Sequence, residues 1–150
     1  MLRDPALIPL SQQHHNGLAF CVLAERALQL DSSDAAVRRL AAKAINRYEV
    51  ELVNHFEMEE QILFPLVHRE LGIMPLVIEL IADHRTFEGM ILEMRTAPSA
   101  ELLRNFCARL QSHIRREENE LFQDIQHRLP PDMLAAAGKA IDAKAVRVCL

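Results

Sequence analysis

The sequence predicts an all-α protein, an up-down-up-down antiparallel four-helix bundle with a short extra helix at its C-terminal end. Three observations lead there. Only four glycines and one tyrosine stand among 150 residues, while Ala, Leu, Glu and Arg are abundant, a balance that favours helices over strands and tight hairpins. Apolar residues recur at three- and four-residue intervals, the period of one helix face. The breaks between these periodic segments are short, which favours antiparallel neighbours.

Helix 1 is expected from Ser11, a cap shortly after Pro9, to about Leu30, with His15, Leu18 and Val22 on its inner face. Asp31-Ser32-Ser33-Asp34 breaks it and caps helix 2, which runs from Ala35 to Leu71 and ends at Gly72. Within helix 2, Pro65 predicts a kink or break near Phe64, because proline removes a backbone hydrogen bond and crowds the preceding turn. Pro75 opens helix 3, which extends to about Arg95 before Thr96-Ala97-Pro98. Ser99 caps helix 4, which Pro130-Pro131 stops after Leu129, and Met133 to Ala145 forms the short fifth helix. A chain of this length can bury a core without covalent staples, so one domain over residues 1–150 is expected.

Composition removes several function classes. A formal net charge of -4 with scattered basic residues supplies no positive field for nucleic acid. No run approaches the ~20 apolar residues of a spanning helix, and the first ten residues lack the marks of a signal peptide, so a cytoplasmic protein without a membrane partner is expected. Cys21, Cys107 and Cys149 form no C-x-x-C pair and are expected as reduced, packing thiols. No Ser/His/Asp arrangement, Gly-rich phosphate loop or dinucleotide fingerprint is present, which argues against hydrolases and nucleotide binders.

An internal duplication is more informative. Residues 55–66 read H-F-E-M-E-E-Q-I-L-F-P-L and residues 113–125 read H-I-R-R-E-E-N-E-L-F-Q-D-I. Superposed, His55 meets His113, Glu59 meets Glu117, Glu60 meets Glu118, Leu63 meets Leu121 and Phe64 meets Phe122. A weaker match sets His15 against His84. On helix 2 the inward series is Tyr48, Leu52, His55, Glu59, Ile62 and Leu66. On helix 4 it is Phe106, Leu110, His113, Glu117 and Leu121, and on helix 3 it is Val77, Ile81, His84 and Ile91. Each long helix therefore places one histidine inside.

A buried carboxylate or imidazole without a partner costs on the order of several kcal/mol. Mutual hydrogen bonds, altered protonation or a bound cation must compensate, and a metal accounts for His15, His55, Glu59, His84, His113 and Glu117 together. Two H-x-x-x-E helices can bring both carboxylates between two cations, which can lie about 3.5–4 Å apart in such sites. A metal-free bundle is the plainer alternative, since a single buried histidine or one i,i+4 pair is ordinary. His14 is expected exposed, because Leu18, three residues after His15, selects His15 for the interior. Glu88 is an optional further ligand, and Glu60 and Glu118 are expected in outer or surface positions. His68 and His127 read as polar positions near helix ends, and the methionines as fillers of core gaps.

Taken together, His15, H-F-E-M-E-E at 55–60, D-H at 83–84 and H-I-R-R-E-E at 113–118 followed by L-F resemble the hemerythrin-like, or HHE cation-binding, domain family over about residues 9–129. The resemblance implies a four-helix bundle around a non-haem di-iron centre with carboxylate bridges, the same six residues being its ligands. Members of that family carry oxygen, sense oxygen, redox state or iron, or are linked to nitric oxide or peroxide. The sequence departs from the oxygen-carrying branch, whose third helix has H-x-x-x-H and whose fourth has H-x-x-x-x-D. Here Glu88 follows His84, and Glu117 and Glu118 follow His113. More carboxylate favours higher oxidation states and admits Mn or Zn, which counts against reversible oxygen transport. Two iron ions are the expected cofactor, with Mn or Zn as substitutes, and a diatomic or peroxide ligand is the expected partner. A metal- or redox-sensing interaction module without turnover, and a homo-oligomer, are compatible with the same residues. The segment from Pro130 lies outside the shared pattern.

Overall fold

Ser33 and Ser99 open two of the long helices as the sequence predicts. Ser33 Oγ accepts from the Ala36 N–H and Ser99 Oγ from the Leu102 N–H at 3.0 Å, satisfying donors that a first helical turn leaves free. In the computed structural model, which describes residues 2–148, five helices account for nearly all of the chain. They are α1 (Ile8–Leu30), α2 (34–71), α3 (Pro75–Thr96), α4 (100–128) and α5 (Pro131–Lys144). No strand occurs among the described residues. Cys149 lies outside them, while Cys21 and Cys107 are buried and free.

The first helix starts earlier than expected. Asp4 caps a 3₁₀ turn, Pro5–Leu7, by accepting from the Ala6 N–H, and α1 follows directly with Pro9 in its first turn. Ser11 is thus inside the helix, and its hydroxyl donates to Glu118 Oε1 at 2.6 Å instead of capping. The inward stripe of α1 is Leu10, His14, Gly17, Cys21, Ala24 and Leu28, whereas Val22 and Leu23 are exposed. Small residues decide this rotation. A Cβ on Gly17 would meet Ile114 Cδ1 at 3.4 Å, so α1 lies close against α4.

Gly72 ends α2 with a φ of 83°, a conformation that L side chains rarely adopt. Of the kink or break expected near Phe64, the break does not occur. The helix passes through Pro65 after a wide π turn, Glu59–Leu63, in which the Phe64 N–H reaches back to Glu59 O. Helix α4 has the same π turn at Glu117–Leu121, where the residue matching Pro65 is Gln123. The duplicated sequence, not the proline, therefore accompanies the turn. Because a π turn holds an extra residue, the buried face advances from Glu59 to Leu63, leaving Ile62 half-buried.

Helix α1 packs on α4 and α2, and α3 packs on α2 and α4. Two apolar clusters form. One joins Leu28, Leu40, Leu52, Ile91, Met94, Leu103 and Phe106. The other joins Leu10, Leu63, Leu66, Leu80, Leu121 and Ile125 with Leu134 and Ile141 of α5. Along every long helix the buried histidine lies where one cluster gives way to the other, while Glu51 sits beside Leu52 of the first. Gly138 lets α5 rest on the N-terminal turn, since a Cβ there would stand 2.7 Å from the Ala6 Cα.

Candidate metal centre

The polar slab consists of Gln13 and His14 of α1, Glu51, His55 and Glu59 of α2, Asp83 and His84 of α3, and His113 and Glu117 of α4, all buried. Six of these converge. His14, His55, Glu59 and Glu117 form one group and Glu59, His84, His113 and Glu117 a second, with the ligand-type atoms of each within 4.8 Å of one another. Both carboxylates belong to both groups. Glu59 Oε1 lies 2.8 Å from His55 Nε2 and Glu59 Oε2 lies 3.0 Å from His84 Nε2. Glu117 Oε2 lies 2.8 Å from His14 Nε2 and Glu117 Oε1 lies 3.5 Å from His113 Nε2.

None of these close approaches has the direction of a hydrogen bond. All four Nε2 atoms and all four carboxylate oxygens are buried without a hydrogen-bond partner. At about 1–3 kcal/mol for each such group, eight of them rival the roughly 5–15 kcal/mol by which a whole domain is stable. Positive charge at the two points of convergence is what this arrangement requires, as protons or as metal ions. Imidazole nitrogen and bridging carboxylate oxygen form a donor set suited to iron, manganese or zinc. The residues fit such a cation at either point, which His14 and His55 would hold on one side and His84 and His113 on the other, with Glu59 and Glu117 common to both groups.

A second layer aims each imidazole. His14 Nδ1 donates to Glu118 Oε1 at 2.6 Å, His84 Nδ1 to Glu60 Oε2 at 2.8 Å and His113 Nδ1 to Asp83 Oδ2 at 3.1 Å. His55 Nδ1 donates to Gln13 Oε1 at 2.8 Å. That amide cannot be reversed without loss, because Gln13 Nε2 is itself engaged by Asn54 Oδ1 and Val146 O. With Nδ1 committed as donor, each Nε2 presents its lone pair inward, the usual arrangement behind a metal-bound histidine. Arg3 pairs with Glu118 at 2.6 Å, Arg85 with Glu60, and Arg109 with Asp83 at 2.9 Å. Phe56 stacks on His84 at 4.0 Å and Phe122 on His14 at 5.6 Å, walling the slab from water.

Without metal, the charges hold one another. Burial by itself would lower His14, but Glu117 and Glu118 outweigh it and raise its pKa to about 10. His55 and His84 are also raised, against burial, by the carboxylates beside them. Burial would raise Glu59 and Glu117, yet the surrounding imidazoles hold Glu59 well below the ordinary carboxylate value and Glu117 below it. Glu118, pushed up by burial and down by His14 and Ser11, settles at about 2.

Five of the six residues singled out from sequence meet here, and one does not. His15 is exposed, and His14 takes the place assigned to it. Leu18 was a misleading guide, because the face of α1 that turns inward is the one with Gly17, Cys21 and Ala24. Glu88 is exposed and accepts from Arg85 Nη1 at 3.2 Å, so it stays outside the centre. Sequence reasoning missed Gln13, Asp83 and Glu51. The first two were signalled by the parallel dipeptides Gln13-His14 and Asp83-His84.

Residues 9–125 match the family described as Hemerythrin HHE cation binding domain. No curated protein and no solved structure matches the chain. With the match spanning most of its length and six buried His and Glu side chains converging as described, the chain belongs to the hemerythrin HHE cation-binding family.

Proposed function

We propose that the protein holds a dinuclear non-haem iron centre on His14, His55, Glu59, His84, His113 and Glu117, and that this centre binds or reacts with a small oxidant such as oxygen, peroxide or nitric oxide. The observation that carries the reading is the set of eight buried, partnerless nitrogen and oxygen atoms divided evenly between two points. Bound iron would supply one-electron redox chemistry and Lewis acidity. The chain's own residues do the rest. Glu118, Glu60, Asp83 and Gln13 hold the imidazoles in one tautomer, and the phenyl rings of Phe56, Phe64, Phe87 and Phe122 exclude water. A cavity of about 350 Å³ lined by Tyr48, Phe56, Glu60, His84 and Arg85 supports access for a small molecule to the His84 side.

The four long helices are read as an up-down-up-down bundle. In support, α1 and α3 run from the cluster containing Leu80 to the one containing Ile91, while α2 and α4 run the opposite way. A cytoplasmic setting is part of the reading, supported by two free buried cysteines and by the absence among the described residues of a helix long and apolar enough to cross a membrane.

Anaerobic reconstitution followed by elemental analysis and Mössbauer spectroscopy tests this function. About two irons per chain and an optical change on exposure to oxygen, peroxide or nitric oxide are expected. Protein that takes up no iron after reconstitution removes its basis. A second reading is a metal-sensing interaction module without turnover. It is favoured by one feature, that the converging residues come from all four long helices, so occupancy ties those helices together. Identical melting and assembly of loaded and metal-free protein excludes it.

A further inference from the structure

His15, the buried Glu51 and the segment after α5 have no part in the centre, yet they meet at one place. A cavity of about 410 Å³ is bounded by Gln12, Gln13, His15, Asn16, Glu51 and Arg147, among others. Its inner wall is the back of the metal centre. Gln13 holds His55, and Ser11, also in the wall, donates to Glu118 behind His14. Its outer cover is the chain at 145–148. There the Val146 N–H donates to Asn54 Oδ1 at 2.9 Å, Gln13 Nε2 donates to Val146 O, and Arg147 donates to Gln12 Oε1 at 3.2 Å.

The charges around this cavity are unequal in what they lack. Arg3 has Glu118, and Arg147 has Asp142. Glu51 has only half of what a carboxylate needs. Its Oε2 accepts from Asn16 Nδ2 at 2.8 Å, while its Oε1 has no partner although the residue is 0% exposed. The π turn Tyr48–Leu52 carries it inward, one helical turn before His55. Among the described residues no cation is paired with it, so the demand left in this cavity is for positive charge.

We propose that the cavity is a transit site for a divalent cation, which Glu51, with His15 on the rim, draws from solvent and passes inward to the His14/His55 position. The proposal rests on the dinuclear reading above. Glu51 supplies the attraction, His15 a soft first contact, and residues 145–148 the cover that limits the rate.

Metal-free protein mixed rapidly with Co(II), followed by its visible absorption, gives a loading rate, and elemental analysis gives the final content. Glu51→Gln is expected to reach the wild-type content about tenfold more slowly, the scale on which a charged cleft changes association. His15→Ala is expected to slow loading less. Arg147→Ala, which releases the cover from Asp142 and Gln12, is expected to speed it. Glu51→Gln loading at the wild-type rate, or holding fewer ions at an unchanged rate, overturns the transit site and leaves the dinuclear reading standing. Should that variant not fold, unchanged rates in both His15→Ala and Arg147→Ala overturn it equally. Wild-type protein that binds no Co(II) at all overturns both.

Discussion

The two halves of the centre are related by the internal repeat and differ in one outer residue. His14 and His84 correspond, as do His55 and His113, Glu59 and Glu117, and Glu60 and Glu118. In each half the residue preceding one histidine reaches across to brace another. Asp83, next to His84, accepts from His113, and Gln13, next to His14, accepts from His55. So the His84/His113 half stands against two carboxylates, Glu60 and Asp83, while the His14/His55 half has one carboxylate and one neutral amide. An anion behind an imidazole makes it the stronger donor. The surroundings differ too, since Glu60 faces its cavity already paired with Arg85, whereas Glu51 faces the other with a free oxygen. Duplication made the ligands symmetric, and the residues that aim them make the two positions unequal.

The largest effect is expected from the groups the halves share. Glu59→Ala removes an oxygen from both positions and should weaken binding at both by more than about 100-fold, beyond the range of outer-partner changes, as elemental analysis after dialysis would record. Retention of both ions by this variant breaks the bridging assignment. Next comes the single-half test. His14→Ala should leave about one ion per chain where the proposed centre takes two, while His15→Ala keeps the full equilibrium content. The reverse pattern would restore His15 as the ligand.

The asymmetry itself can be inverted. Asp83→Asn should lower affinity at the His84/His113 position by about 10–100-fold, and Gln13→Glu should raise it at the His14/His55 position by a smaller factor, because the new carboxylate gives up the donations to Asn54 Oδ1 and Val146 O. Both are read from stepwise titration. Equal effects on both steps would mean that the halves do not titrate separately.

The smallest expected effect is one of pH, and it separates the two forms. In the metal-free protein His14 has a pKa of about 10 against 6.5 for the free side chain. Its contribution to stability is complete below pH 6.5 and is lost as pH rises toward 10. Metal uptake needs the same imidazole deprotonated, so affinity rises with pH over that window. Melting curves of the metal-free form should fall by several degrees between pH 6.5 and 8.5, given roughly 2–4 °C per kcal/mol, while those of the loaded form, in which His14 carries no proton in the folded chain and little in the unfolded chain over that window, change little.

The helices were legible because their ends carry strong local signals: Ser33 and Ser99 as caps, Pro75 at a start and Gly72 at a stop. Five of the six converging residues were legible because His and Glu interrupt apolar stripes twice in the same way. The errors share a physical cause. The face of α1 was read from its largest apolar residues, but a helix that packs closely turns its small ones inward, and the one-residue difference moved His15 out and His14 in. Likewise a constant helical period carried the α2 stripe to Ile62, whereas the π turn after Glu59 shifts it to Leu63. The outer braces and Glu51 depend on pairings across helices that periodicity along one helix does not contain.

Gly138 connects α5 to the buried imidazole of His14. With no side chain, it lets α5 press on the backbone of Ala6, and that N-terminal turn carries Arg3, which holds Glu118, which orients His14. A methyl group at position 138 would act as a wedge, prying the turn outward and loosening that linkage from its far end. The last helix therefore works as a clamp whose jaw closes on one histidine without touching it.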